Sequence, residues 1–222
     1  MKVKEVPYQG RKKSLFLGYV FDEINDDNTF TDIAKHHHAI LLETERSMPE
    51  LPRFGTKMKV PGQFSNLTFM GGGPHENYWD RNTSAFISQY SSTVEDQYFP
   101  YIRPQENGYK TDTRWLALQD STGKGVLIIG EPQISFSALN YTLEQLDQGS
   151  KKNYRHTNDL VPNDFISLNV DYKQTGVGGD DSWGARPHPQ YTLEYGEYHY
   201  SYIIRPLRRN TDLMDLSKKR FK

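Results

Sequence analysis

The chain has 222 residues, with 27 lysines and arginines against 28 aspartates and glutamates, for a formal net charge of −1. That balance removes any global electrostatic drive toward nucleic acid or an anionic membrane, and the length suits one all-β domain. Cysteine is absent, which excludes disulfides, thiolate nucleophiles and cysteine-ligated zinc.

Leu15-Phe16-Leu17-Gly18-Tyr19-Val20-Phe21 is apolar but too short for a membrane span or a signal-peptide core, and it reads as a strand. With Met1 taken as the native start, the chain is expected to be made in the cytoplasm and to stay there. Asp22, Asp26, Asp27 and Asn28 are acidic enough to suggest calcium, but an EF-hand needs a central glycine and a glutamate at its twelfth position, where Ile33 stands. His36-His37-His38 invites a metal reading. Consecutive side chains alternate across a strand or fan about a helix, so three in a row rarely converge on one ion, and no metal site is expected.

Further along, residues 66–69 and 165–171 read as strands with turn-rich flanks. Residues 113–118, the turn Asp120-Ser121-Thr122-Gly123-Lys124-Gly125 and residues 126–129 form a hairpin pattern. Residues 133–146 are ambiguous, with Thr142 placed to open a short helix. Residues 191–195, a turn at Gly196-Glu197 and residues 198–204 suggest a second hairpin, with Tyr198, Tyr200, Tyr202 and Ile204 on one face by the period-two rule. Aromatics make up 13% of the chain and tyrosine alone supplies 15 positions, which suits half-buried pleated surfaces. The regular spacing of strands and turns argues for a β-sandwich.

Thr175-Gly176-Val177-Gly178-Gly179-Asp180-Asp181-Ser182-Trp183-Gly184 sets an indole beside two carboxylates on a glycine-hinged loop. Glycines allow positive φ, the indole offers a flat apolar face and an N–H donor, and aspartates accept hydrogen bonds from hydroxyls. This chemistry fits a carbohydrate surface. A loop tryptophan filling a core fits the same residues.

The loop does not stand alone. Gly71-Gly72-Gly73-Pro74-His75-Glu76-Asn77-Tyr78-Trp79-Asp80-Arg81, Pro100-Tyr101-Ile102-Arg103-Pro104-Gln105-Glu106-Asn107-Gly108, Thr113-Arg114-Trp115-Leu116-Ala117-Leu118, the Arg155-His156 pair with Leu160, and Leu168-Asn169-Val170-Asp171 follow in order. Together with the loop, these blocks resemble the C-terminal domain of the multidomain β-galactosidases of glycoside hydrolase family 2. The resemblance runs from about Met48, through Pro49-Glu50-Leu51-Pro52-Arg53-Phe54-Gly55, to about Arg205, so residues 48–206 are taken as the sandwich domain. Residues 1–47 match poorly and do not read as the family's preceding strands, and residues 207–222 form a polar, basic tail without a counterpart.

The resemblance implies an antiparallel supersandwich of the galactose-mutarotase-like kind. The family's domain is longer than this chain, so some N-terminal strands are expected to be missing. Sheet edges left open in this way expose unpaired backbone groups, which an interface or an improvised cover from residues 1–47 would meet.

Glu76, Glu106, Asp180 and Asp181 are the carboxylates to weigh as a catalytic pair, since retaining glycosidases need two about 5 Å apart. The resemblance points elsewhere: it implies that both catalytic glutamates and a magnesium site belong to a separate (β/α)8 barrel, which needs roughly 250 further residues. No catalytic residue and no cofactor are therefore expected in this chain. Gly73, Pro74, Glu76, Asn77, Tyr78, Asp80 and Arg81 read as a turn and a charge network that satisfy buried backbone, and His156 as a hydrogen-bonded side chain. The resemblance gives Trp183 the role of an apolar platform reaching the barrel's sugar site, with Asp180, Asp181, Gly178 and Gly179 shaping its loop.

The expected function is that of a β-galactosidase C-terminal domain or small chain, inactive alone, which completes the site of a barrel that cleaves terminal β-galactosides with retention. Its expected partners are that barrel and the sugar, and a homo-oligomer is compatible with the open edges. Two alternatives stand beside this. One is a free carbohydrate-binding module using Trp183. The other is an aldose-mutarotase-like enzyme using His156 and Glu131, which rests on fold analogy alone.

Overall fold

The computed structural model describes residues 50–148, 156–181, 183–194 and 198–219 in full, and residues 2–4, 16–20, 34–41 and 197 as backbone. In chain order the strands are β1 (Lys2–Lys4), β2 (Phe16–Val20), β3 (Ala34–Leu41), β4 (Arg53–Pro61), β5 (Asn66–Gly73), β6 (Phe86–Thr93), β7 (Lys110–Gln119), β8 (Gly125–Leu139), β9 (Phe165–Gln174) and β10 (Glu197–Leu207). Two short helices, α1 (Leu143–Leu146) and α2 (Leu213–Lys218), follow β8 and β10. The fold is all-β and sandwich-like, and among the described residues every strand pair except the parallel β2–β4 is antiparallel.

β8 is the seam between the two layers. Residues 125–131 pair with β10 and residues 135–139 with β9, while β7 follows the strand across the change, from Gly125 to Phe136. The strand is buried along both halves and surfaces only around Pro132 and Gln133. Proline cannot donate to a ladder, so it is suited to the point where the strand changes partners. The layers β6-β5-β7-β8-β10-β3 and β1-β2-β4-β9-β8 thereby share one continuous strand.

Alternation along each strand fills the space between the layers. Phe54, Met58 and Val60 of β4, Leu67 and Phe69 of β5, Leu116 and Leu118 of β7, Ile134, Phe136 and Ala138 of β8, and Ile166, Leu168 and Val170 of β9 form one core. Tyr200, Tyr202 and Ile204 join it and Tyr198 packs against it, as period two requires. The opposite face of the first layer carries Trp115, Ala117, Leu127, Ile129, Ile203 and Leu207. Leu213, Met214 and Leu216 of α2 cover that second cluster, so the tail expected to be polar and basic carries an apolar helical face. Arg205 donates to the carbonyls of Leu216 at 3.3 Å and Lys219 at 2.7 Å, placing a cation on the C-terminal end of α2.

The hairpin expected at 113–129 forms as β7 and β8, with Gly123 at φ 84° in its turn. The short helix after Thr142 forms as α1. Its capping box pairs Gln145 N with Thr142 Oγ1 at 3.3 Å and Thr142 N with Gln145 Oε1 at 2.8 Å.

The second hairpin needs correction, because β10 pairs with β8 and β3 rather than with residues 191–195. Residues 189–191 make a 3-10 turn and Leu193 bridges Leu51, which takes this stretch to another edge. Residues 195 and 196 of the expected turn lie outside the described residues. Three strands from residues 1–47 are described. β2 pairs with β4, β1 with β2, and β3 with β10, so they meet the open backbone of two edges. The side chains of His36, His37 and His38, and the acidic run Asp22, Asp26, Asp27 and Asn28, lie outside the described residues.

Phe136 is fully buried and meets Phe69 edge-on with centroids 5.3 Å apart. Phe136→Ala is expected to cost about 3–5 kcal/mol of stability, seen as a lower urea midpoint with an unchanged slope.

Candidate functional site

Three connections converge beside the start of β4: residues 74–81 after β5, residues 99–109 before β7, and residues 175–191 after β9. Polar side chains from the first connection hold the other two. Asn77 is buried with both ends of its amide engaged. Its Nδ2 donates to Gly72 O at 2.9 Å, and its Oδ1 accepts from Thr111 N at 3.0 Å and Thr111 Oγ1 at 2.6 Å. Glu76 accepts from Gly108 N at 2.7 Å, from Arg81 Nη2 at 2.9 Å and from the Tyr101 hydroxyl. Tyr78 stacks on Tyr109 at 5.6 Å, and the Arg81 guanidinium lies 5.1 Å from the Tyr78 ring. Glu76 thus closes one connection onto another through two donors of the second, Gly108 N and the Tyr101 hydroxyl. Gly73 ends β5, joins Pro74 through a cis peptide and leaves no room for a Cβ, which would fall 2.8 Å from the Tyr90 ring.

Beneath these loops lies a buried charge cluster that sequence reasoning did not single out. Arg53, at the start of β4, sets Nε 3.2 Å from Asp171 Oδ2 and turns Nη2 onto Glu106 Oε1 and Gln174 Oε1. Burial alone would lower the guanidinium's pKa, but Asp171 and Glu106 hold it above its ordinary value. One cation then faces two carboxylates. Burial, opposed by Arg53 and reinforced by Glu106, pushes Asp171 up to about 7. Gly55 makes this packing possible: a Cβ there would lie 1.9 Å from Asp171 Oδ1. Lys110 is also buried, and burial lowers it to about 8. The available signal was the row Ser167, Asn169 and Asp171, buried on the face of β9 opposite the core residues Ile166, Leu168 and Val170. Polar residues at every second position of a doubly buried strand call for partners.

The glycine-rich loop rises from this base. Gly176 N donates to Tyr191 O at 2.7 Å and Thr175 N to Pro52 O at 2.9 Å, so its two ends are held together. Gly178 N donates to Asp80 Oδ2 at 2.9 Å. Gly178 and Gly179 sit at φ 65° and 96°, a region other residues enter at a cost. Asp181 Oδ1 accepts from Trp183 N at 2.8 Å and Ala185 N at 3.2 Å, which folds the tip into a turn. Asp180 Oδ2 lies 2.6 Å from His188 Nε2. Both aspartates therefore serve the shape of the loop. Trp183 is 93% exposed, so core filling is not its role here. Ser182 lies outside the described residues.

The structure does not assemble the pair His156 and Glu131. Glu131 accepts from Ser201 Oγ at 3.0 Å near the surface bend of β8. Exposed His156 opens the turn before Leu160, which packs on Leu139 at the far end of that strand. Arg155 lies outside the described residues. Among the described residues, no three histidines, aspartates or glutamates group closely enough to hold a metal ion, and no helix is long and apolar enough to cross a membrane.

The fold and this cluster of loops define an all-β, sandwich-like domain that projects an aromatic side chain from a braced loop. A family model described as "Beta galactosidase small chain" matches residues 16–204, and the chain belongs to that family. It is 42% identical to a β-galactosidase of Priestia megaterium over 167 residues, which is 75% of this chain and 16% of that relative. It is 39% identical to a β-galactosidase of Vibrio cholerae over 158 residues, covering 71% and 14% of the two chains. A β-galactosidase of Alteromonas mediterranea is 32% identical over 209 residues, covering 90% of this chain and 19% of the relative. The chain thus spans less than a fifth of the length of these curated relatives.

The raised pKa of Asp171 predicts a pH dependence of stability. Its folded value, about 7, exceeds the 3.8 of an ordinary aspartate, so the folded chain holds an extra proton between the two. The stability due to that proton is complete below the lower value and is lost as pH rises through 7, at up to about 1.4 kcal/mol per pH unit. Urea unfolding at pH values from 4.5 to 8 is expected to show this decline in the native chain and a flatter profile in Asp171→Asn.

Proposed function

We propose that this chain is the sandwich domain, or small chain, of a β-galactosidase, and that it completes the sugar site of a catalytic barrel carried elsewhere. The observation that carries this reading is the exposed indole of Trp183 on a loop whose base and tip are both tied down. An indole left in water forgoes the burial of roughly 150–250 Å², which at about 25 cal/mol per Å² is on the order of 4–6 kcal/mol. Folding of this chain gains nothing from holding the side chain there. A partner surface or a sugar face does.

The role of each residue follows from its bonds. Trp183 supplies the flat apolar contact for the sugar or its aglycone. Asp180 and Asp181, occupied by His188, Trp183 N and Ala185 N, shape the loop rather than act on a glycosidic bond. Glu76 and Glu106 are held by Arg81, Tyr101, Gly108 and Arg53. None of these four carboxylates is left free for retaining chemistry, whose nucleophile and acid/base would come from the barrel. The barrel would also hold the family's magnesium. What this chain adds is orientation and binding of the substrate, which lowers the barrier by positioning. Substrate specificity for terminal β-galactosides and retention of configuration belong to the assembled enzyme.

Hydrolysis of a nitrophenyl β-galactoside tests this assignment. The isolated chain is expected to give no turnover, and mixing it with a β-galactosidase catalytic polypeptide lacking its own small-chain region is expected to restore activity. Trp183→Ala is expected to raise KM about tenfold in the mixture with a smaller effect on kcat. Turnover by the chain alone would overturn the assignment. Calorimetric binding of lactose by the chain alone would favour a free-standing carbohydrate-binding module instead.

A further inference from the structure

We propose that Trp79 and Asp80 are the positioning residues for Trp183: they hold both ends of its loop and so set where the indole stands. This inference rests on the reading that Trp183 meets the sugar, and it names the device that aims it.

Asp80 holds the entry to the loop. Its Oδ2 accepts from Gly178 N at 2.9 Å and lies close against Gly176, where a Cβ would fall 2.4 Å from the same oxygen. Trp79 holds the exit, meeting the Tyr191 ring edge-on with centroids 5.7 Å apart. Tyr191 also accepts from Gly176 N at 2.7 Å and from Thr175 Oγ1 at 3.3 Å. Two adjacent residues therefore grip both ends of a loop about a hundred positions downstream. Their own place is set on either side: Lys173 Nζ lies 4.0 Å from the Trp79 ring centre, and the following Arg81 is bound to Glu76.

The tip behaves differently from the base. Asp181 fixes the backbone of residues 183–185 within the loop itself, so the tip forms one local unit. That unit has to be aimed from below, and the side chains of Trp79 and Asp80 reach its base from another connection, beside the backbone bond of Thr175 N to Pro52 O. Displacing a positioning group by about 1 Å can cost a large factor in rate or binding without touching the chemistry. Their bonds run to Gly178 N and the Tyr191 ring, so they act through the loop backbone and its exit.

The test uses the full chain with the same catalytic polypeptide and nitrophenyl β-galactoside, and hydrogen exchange on the chain alone. Asp80→Ala is expected to raise KM about tenfold with less than about threefold change in kcat, matching Trp183→Ala. Gly176→Ala, which leaves the carboxylate intact but forces the loop away from it, is expected to give the same pattern. Asp80→Asn keeps an acceptor for Gly178 and is expected to restore KM to within about threefold of the native value. The double variant Asp80→Ala with Trp183→Ala is expected to be no worse than Trp183→Ala, since both remove one function. The Gly178 amide is expected to exchange faster in Asp80→Ala while core amides keep their protection, which separates loss of aim from loss of fold.

A KM effect in Trp183→Ala with none in Asp80→Ala or Gly176→Ala would overturn the positioning role and leave the sugar-platform reading standing. Effects that multiply in the double variant would overturn it too. If Trp183→Ala leaves KM unchanged, the sugar-platform reading fails and this inference fails with it, even where the Gly178 amide is released.

Discussion

A single buried guanidinium organises the end of this sandwich that carries its candidate site. Arg53 stands at the first residue of β4, reaches the last residues of β9 through Asp171 and Gln174, and meets the connection into β7 through Glu106. A buried cation is tolerated only where its charge is answered, so all three segments have to arrive together. The geometry is demanding on the chain around it. Gly55 has no side chain because Asp171 occupies that volume, and the ladder between β4 and β9 shifts register at Phe54 and Gly55 to admit it. Tyr109 lies 5.5 Å from the guanidinium and is held neutral by burial and by Asp171.

On this footing, polar contacts pass outward in steps. Glu106 belongs to the connection that Glu76 closes through Gly108 and Tyr101. Glu76 lies four residues before Asp80, which reaches Gly178. Gln174, bonded to Arg53, is the last residue of β9, and the loop begins at the next position. The apolar core sets the two layers and their spacing, while this polar relay decides how the connections lie over their end. Each step uses a charge-assisted or buried bond, the kind that loses most when one partner is removed.

The two sheet layers handle their outer faces in different ways. The first covers Trp115, Leu127, Ile129 and Ile203 with the apolar side of α2, and Arg205 fastens the end of that helix. The second carries polar residues on its outer face beneath the connection before β7, where Asn169 donates to Ser137 at 2.9 Å. A helix covers apolar surface cheaply, whereas a loop brings backbone groups that need polar partners. The placement of the charge cluster follows from that difference.

Much of this was legible in the sequence because it depends on local rules. Period-two alternation marked Tyr198, Tyr200, Tyr202 and Ile204 as one face, the glycine turn marked the β7–β8 hairpin, and Thr142 marked the start of α1. The ordered motifs also sufficed to suggest the family, and they pointed to Trp183 on its glycine-rich loop. Pairing between distant segments was not legible. Nothing near residues 191–204 announces that β10 pairs with β3 and β8, because a strand's partner is chosen by which edges remain open after the rest has folded. The same holds for Arg53 with Asp171, and for Asp80 with Gly178, separated by about a hundred residues in the chain. Sequence by itself determined which residues alternate, turn and cap, since those preferences act over a few positions of backbone. The tertiary structure alone decided which buried charges answer one another and how the Trp183 loop is braced, because burial and long-range hydrogen bonding exist only once distant segments have met.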